Sequence, residues 1–306
     1  MTERPLKNIA ASVRQRLMNS AKTSGRPFQE VLQYFAMERF LYRLSQSPHA
    51  ERFILKGALL FNLWGAPASR PTRDIDLLGR MNNSVDALVT VFREVCHQAV
   101  ESDGLVFTAD SLQGQVIKED ADYAGVRLTF QAFLENARVP MQIDIGFGDI
   151  VVPEAALTDY PTILDHVKPR LRAYPKETVV AEKFEAMVKL GQLNSRLKDF
   201  FDLWLLSQQY TFDGMTLSSA VSQTFQNRQT AINPQPIALT AAFANDAIKQ
   251  TQWKGFLRKS RLDIAPPQLA DVVDAIGGFL LPLASVLAEG RTFDSTWQPA
   301  GPWRST

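Results

Sequence analysis

The segment Thr72-Arg73-Asp74-Ile75-Asp76-Leu77-Leu78 constrains this chain more than any other stretch. Apolar and charged residues alternate in it, which is the pattern of a β-strand with one face in a core. Side chains two apart on a strand share a face. Asp74 and Asp76 therefore stand side by side, while Ile75 and Leu77 turn the other way, into a core. Two neighbouring carboxylates repel, and burial makes the repulsion worse. A divalent cation between them removes that penalty. Hard oxygen ligands of this kind suit magnesium, which keeps several waters and binds substrate phosphates.

A third carboxylate stands in a matching context. In "QIDIGFGD", Asp144 alternates with Ile143 and Ile145. If that strand lies beside the Asp74/Asp76 strand, three carboxylates converge. Such a set supports two-metal phosphoryl transfer. Asp149 follows the glycines of the same segment and reads as a turn residue. The plainer alternative is a D-x-D on a solvated strand, because the motif alone is common.

Upstream, "FILKGALLFNLW" is apolar around Lys56-Gly57. A glycine ahead of a helix leaves backbone N–H groups that hold a phosphate. Lys56 adds a positive charge. The competing reading is an ordinary strand-to-helix turn.

Around these segments the periodicity organises the chain. Residues 8–46 read as two helices, the first on Ile9, Val13 and Leu17, the second from about Phe28 to Leu44 and ended by Pro48. "VDALVTVFREVCHQAV" is helical, and "GVRLTFQAFL" and "VPMQIDIGFGD" are strands. After Pro153 strand signals fade. "TVVAEKFEAMVKLG" and "KDFFDLWLLSQQY" are helices, and helical patterns run to Leu287. The tail "EGRTFDSTWQPAGPWRST" is rich in turn formers and reads as a surface-wrapping or frayed end. The expected organisation is an N-terminal helical segment (1–50), an α/β catalytic core (51–153) and a mainly helical C-terminal domain (154–306).

Composition adds limits. The 306 residues are 45% hydrophobic and 21% charged, the balance of a globular protein. There are 33 Lys+Arg against 32 Asp+Glu, so no overall basic excess points to nucleic acid, although a local patch hides easily in a neutral total. With one cysteine, Cys96, no intramolecular disulfide forms, and a cytoplasmic compartment is expected. Cys96 lies in an amphipathic helical pattern and reads as a core residue. The polar start "MTERPLKNIA" is not a signal peptide. The apolar "IGGFLLPLASVLA" is broken by glycines and a proline, so a buried helix is expected there and no membrane partner. His49, His97 and His166 are scattered without zinc-like spacing.

A glycine-bearing turn, a helix and a strand with D-x-D resemble the DNA polymerase β-like nucleotidyltransferase fold. More closely, "SVRQRLMNSA", "ERFLYRLSQS", "RFILKGALLFNLW", "RPTRDIDLLG", "VPMQIDIGFGD", "AEKFEAMVKLG" and "RLKDFFDLWLL", in that order, resemble the AbiEii/AbiGii toxin family, which includes the MenT-type toxins. The resemblance implies an α+β fold, a mixed sheet flanked by helices, with N-terminal helices and a larger C-terminal helical domain. It implies a transferase that uses an NTP with magnesium (manganese as the alternative), an RNA acceptor, with tRNA expected, and a cognate antitoxin. It implies that Gly57, Asp74 and Asp76 form the first motif and Asp144 the third carboxylate. Lys183 matches the family lysine, and Asp199 or Asp202 the later aspartate. Two departures stand out. Gly57-Ala58 replaces the usual Gly-Ser or Gly-Gly, so Ala58 brings no hydroxyl to a phosphate. The run "NLWGAPASRP" lengthens the spacing from Gly57 to Asp74.

The later residues have physical readings too. Lys183 sits at the edge of an apolar helical stripe and needs a negative partner, either a triphosphate or a carboxylate such as Glu182 or Asp202. Phe200, Phe201, Trp204 and Leu205 read as core. The basic run "HVKPRLRAYPK", with Lys168, Arg170, Arg172 and Lys176, reads either as a phosphate-holding connection or as a solvated loop. Three functions compete: nucleotidyl transfer to RNA by a toxin, nucleotidylation of a protein or small molecule, and a regulator that kept the fold without the chemistry.

Overall fold

The computed structural model describes residues 8–66, 70–120 and 123–305. The polar N-terminal start (1–7) and part of the extra loop (67–69) lie outside the described residues. The chain divides into two compact units. One comprises Met1–Gly65, Thr72–Gly148 and Ala156–Ala173, the other Ala66–Pro71, Asp149–Ala155 and Tyr174–Thr306. The two leading helices thus group with the sheet, where three consecutive domains were expected from the sequence.

The first unit opens with α1 (Ile9–Ser24) and α2 (Phe28–Gln46). Asn8 caps α1 by accepting the Ala11 N–H, and Gly25 ends it in the left-handed conformation that glycine tolerates. Then follow β1 (Phe53–Lys56), α3 (Leu59–Leu63), β2 (Ile75–Gly79), α4 (Val85–His97), β3 (Leu105–Asp120), β4 (Tyr123–Leu134), β5 (Ala137–Phe147), β6 (Ala156–Asp159) and β7 (Arg170–Ala173). Among the described residues they form a seven-stranded mixed sheet, ordered β3-β4-β5-β2-β1-β7-β6. β2 runs parallel to β5 and antiparallel to β1, and β1 runs parallel to β7.

Helix α2 packs on β5 and β7, and α4 packs on α2 and β3. The core is aromatic: Phe40 meets Phe92, Phe107 and Phe130 with ring centroids 6.0, 5.3 and 5.1 Å apart. α2 also buries charge. Arg43 grips Asp103 with two bonds of 2.6 and 3.0 Å, and Arg39 Nε adds a third at 3.2 Å. Buried ions need this kind of pairing and hydrogen bonding. Cys96 is buried in the same core, and burial pushes its thiol pKa up to about 12, so no thiolate nucleophile exists there at neutral pH.

The second unit holds α5 (Lys176–Leu190), α6 (Leu197–Gln209), β8 (Phe212–Asp213), α7 (Gly214–Asn227), α8 (Ala241–Ala244), α9 (Ala247–Ser260), α10 (Leu269–Ala288), β9 (Ser295–Trp297) and β10 (Trp303–Ser305). α10 has the length and hydropathy of a membrane span. Its Leu269, Val272, Val273, Ile276, Phe279, Leu280, Leu283 and Ala284 are buried, and it packs on α6, α7, α8 and α9. It is the spine of this unit's core.

Three sequence expectations are corrected, and one strand had none. Strands do continue past Pro153: β6 and β7 complete one side of the sheet. They are four residues each, too short for an alternation to stand out. The basic run is therefore partly a strand, not a loop. Arg172 Nε pairs with Glu51 at 2.9 Å and Arg170 Nε lies 3.9 Å from Asp159, so both arginines have acidic neighbours without any RNA. The sixteen-residue β3 gave no clear sequence signal, because polar residues interrupt its alternation. The tail does not fray. β9 pairs with β8 on one side and β10 on the other, and the Trp297 and Trp303 indoles donate to Ser207 O and Phe279 O, each at 2.8 Å.

Candidate active site

Asp76 lies on β2, and Asp74 lies just ahead of that strand. The expected alternation holds, with Ile75 and Leu77 fully buried and both aspartates half-buried. In the parallel β2–β5 pairing Asp76 and Asp144 are register partners, flanked by the pairs Ile75–Ile143 and Leu77–Ile145. The pairing that puts the isoleucines in the core thereby puts the carboxylates together. One oxygen from each of Asp74, Asp76 and Asp144 lies within 4.8 Å of the other two. Oxygens on adjacent corners of one octahedral magnesium are roughly 3.0 Å apart, so the three side chains would have to draw closer together to share one ion.

Neighbouring elements fix the segment that carries Asp74. The Tyr34 hydroxyl of α2 accepts the Thr72 N–H at 3.0 Å, and Gln33 donates to Pro140 O at 3.1 Å and Arg73 O at 3.5 Å. The Thr72 hydroxyl donates directly to Asp74 Oδ1.

β1 contributes the turn. Lys56 is the register partner of Asp76 across the β1–β2 pairing. Gly57 follows with φ +75°. A Cβ built on Gly57 would lie 1.9 Å from Asp76 Oδ2, so only glycine fits against that carboxylate. Ala58 is buried, and the turn carbonyls of Gly57 and Ala58 accept from Leu60 and Phe61. The helix that follows, α3, has only five residues, which limits any dipole it brings to an anion.

A residue that sequence reasoning missed completes this cluster. Arg127 on β4 faces Asp144 across the β4–β5 pairing. Its Nε and Nη2 bond both Asp144 oxygens at 2.8 and 2.7 Å, a two-point grip. Gln142 Nε2 bonds the same carboxylate at 3.2 Å. The hydrogen bond to Asp144 raises the Arg127 pKa first, burial opposes it, and the charges of Asp144, Asp74 and Asp76 add to the rise. A signal existed: Val126-Arg127-Leu128 repeats the pattern of Ile143-Asp144-Ile145, a lone charge between core positions. Only the pairing of the strands made them partners.

In the second unit α5 and α6 carry the other candidate residues. Lys183 Nζ lies 2.5 Å from Asp199 Oδ1 and 2.9 Å from Asp202 Oδ2. Asp202 is also gripped by Arg70, whose Nε and Nη2 approach at 3.0 and 3.2 Å, and Asp199 by Arg196 Nε at 2.9 Å. Burial alone would lower the Lys183 pKa, but Asp199 and Asp202 outweigh it and hold it above the usual value. Burial likewise pulls the Asp199 pKa up, yet Lys183 and then Arg196 bring it down to about 2. Both aspartates are thus engaged with the lysine. Phe200, Phe201 and Leu205 are fully buried, as expected of core residues.

The family model that matches most of the chain places the protein in the nucleotidyltransferase class, and the mixed sheet with acidic side chains converging from paired strands is the frame in which that class is met here. The chain belongs to the AbiEii nucleotidyl transferase toxin family of type IV toxin–antitoxin systems, whose profile matches residues 39–275. No curated protein matches the chain. Among solved structures it is similar to JHP933 from Helicobacter pylori, at 15% identity and a TM-score of 0.46, covering 86% of this chain and 93% of that one. A second H. pylori structure, described as a nucleotidyltransferase, matches with the same identity and TM-score over 86% of this chain and 96% of that chain.

Proposed function

We propose that this toxin transfers a nucleotide from an NTP to an RNA acceptor, tRNA in the first instance, with magnesium or manganese held by Asp74, Asp76 and Asp144. The observation that carries the reading is the convergence of three carboxylate oxygens within 4.8 Å from adjoining strands. The donor set fits a hard divalent cation, since it is all oxygen and brings three carboxylates together. When bound, the metal supplies Lewis acidity at the phosphoryl group and orients the triphosphate.

The chain's own residues then have assignable work. Asp76 is held in place by β2 and by the close approach of Gly57. Asp144 is oriented by Arg127 and Gln142. One of the three carboxylates accepts the proton of the attacking hydroxyl. The Lys56-Gly57-Ala58 turn offers backbone and the Lys56 ammonium to a phosphate, without the hydroxyl a serine at position 58 would bring. Lys183, with its ammonium set by Asp199 and Asp202, is assigned to the triphosphate. A cytoplasmic site of action and a cognate antitoxin accompany this reading.

The test is incubation of the protein with each of the four labelled NTPs, total tRNA and total cell protein. Label on tRNA with one NTP, lost in Asp74→Ala, is the expected result. Label on protein alone would move the acceptor to another class. No label with any NTP, together with no metal-dependent NTP binding by calorimetry, would refute the enzymatic reading.

A further inference from the structure

The second unit contains a cavity of about 570 Å³, lined by residues of three segments: Arg70 and Pro71, the start of α6, and one side of α9. Its lining carries four cations, Arg70, Arg196, Lys198 and Lys259, and no carboxylate. Arg70 and Arg196 are pinned by Asp202 and Asp199 beneath, where Lys183 is also engaged. Lys183, Arg70 and Arg196 thus converge on Asp199 and Asp202. Lys198 and Lys259 are exposed and make no ion pair among the described residues.

α9 extends the charge. From Ala247 to Ser260 it carries Lys249, Lys254, Arg258 and Lys259 and no acidic residue, and Arg261 follows. Lys249 is buried and spent on Asn194 O at 2.7 Å, but the others face outward. In a chain of net charge +1, such a one-signed surface is a local concentration, not a reflection of composition.

Two further features point to the kind of ligand. Phe256 lines the cavity half-buried, its ring held 5.5 Å from Trp253 and 6.1 Å from Phe201. A fixed aromatic face among cations is what single-stranded nucleic acid uses, with bases stacked and phosphates on Lys and Arg. Beside it is Gly255, inside the helix, where glycine weakens a helix relative to alanine. A Cβ there would meet nothing within 4 Å, so no neighbour in the fold requires the glycine. It keeps the cavity wall low beside the aromatic ring.

We propose that this cavity holds a single-stranded segment of the RNA acceptor, with a base against Phe256 and phosphates on Lys198, Lys259 and Arg196. The inference rests on the RNA-acceptor reading above and gives it a place on the second unit.

The experiment is fluorescence anisotropy of a labelled single-stranded RNA oligonucleotide with the full-length protein, without NTP, over a range of salt concentrations. In parallel, nucleotide transfer to tRNA is measured. The variants are Lys198→Ala/Lys259→Ala and Phe256→Leu, the second chosen to keep an apolar side chain against Trp253. The double lysine variant should bind at least about tenfold more weakly near 0.1 M salt, with a log–log salt slope reduced by about 1.4 if each lysine meets one phosphate. Phe256→Leu should weaken binding at least about fivefold with the slope unchanged. Wild-type affinity and slope in both variants would overturn the cavity as the RNA site while leaving the RNA acceptor standing. Absence of RNA binding by the wild type would overturn both. RNA binding that depends on these residues, with no transfer to any RNA, would keep the cavity and remove the transferase reading.

Discussion

Gly57 and Asp76 are in contact so close that a single added carbon has no room: a Cβ on Gly57 would stand 1.9 Å from Asp76 Oδ2. The glycine also sits at φ +75°, which an L side chain adopts only at a cost of about 1–2 kcal/mol. The turn expected to serve a phosphate therefore serves the carboxylate as well. Gly57→Ala should leave the protein folded by circular dichroism, because the strain is local. It should lower nucleotide transfer by about a hundredfold or more, the effect of displacing a catalytic group by about 1 Å. Wild-type transfer in this variant would mean that the Asp76 position is not critical.

Arg127 competes for the oxygens that a metal would use. Its two bonds to Asp144 must loosen or rearrange for that carboxylate to ligate an ion fully. Removing the guanidinium also takes a positive charge from three aspartates. Arg127→Gln should therefore raise the apparent affinity for magnesium or manganese, by up to about tenfold, in calorimetric titration. An unchanged or weaker affinity would place Arg127 as support for the site instead of a competitor.

The Lys183–Asp199–Asp202 cluster makes a stability prediction. Lys183→Met leaves two buried aspartates short of a cation and should cost about 3–5 kcal/mol in urea unfolding. The pH dependence has a definite sign. Asp199 has a folded pKa of about 2 against 3.8 for an ordinary aspartate, so its ionised form stabilises the fold above pH 3.8. That contribution fades as pH falls through 2. The gap between wild type and Lys183→Met should narrow between about pH 4 and pH 2. A gap that stays constant there would separate the loss from Asp199 ionisation.

Glu38 behaves in the opposite sense. It is buried on α2, accepts the Ile163 N–H at 2.7 Å, and lies beside Arg39 with Asp103 nearby. Burial raises its pKa from 4.5 to about 7, against the pull of the Ile163 bond and Arg39. Between those values the folded chain holds a proton that the unfolded chain has lost, so this group makes stability fall as pH rises from 4.5 to 7. Glu38→Gln keeps an acceptor for Ile163 and cannot ionise. It should flatten that decline and be more stable than wild type at pH 8, by about 1–3 kcal/mol in thermal melts. Parallel curves for the two proteins would show that Glu38 does not titrate in this window.

Some of this protein was determined by sequence alone. Alternation of charged and apolar residues assigned Asp74, Asp76 and Asp144 to one kind of strand face, because side-chain period follows directly from backbone geometry. Helical periodicity found α1, α2, α4, α5 and α6 for the same reason. Cys96 and the aromatics of α6 were legible as core because apolar stripes have few other uses.

Other features were decided only when distant segments met. The register that sets Asp76 against Asp144 joins strands 68 positions apart in the chain, and no local pattern encodes which strands pair. Arg127 became part of the acidic cluster through that same sheet, and β6, β7, β9 and β10 exist because partners supply their hydrogen bonds. The cavity lined by Arg70, Lys198 and Lys259 draws on three segments whose individual charges look like ordinary solvated surface. Periodicity records which side of an element is buried. Pairing and convergence of charge depend on long-range packing, which a single stretch of residues does not carry.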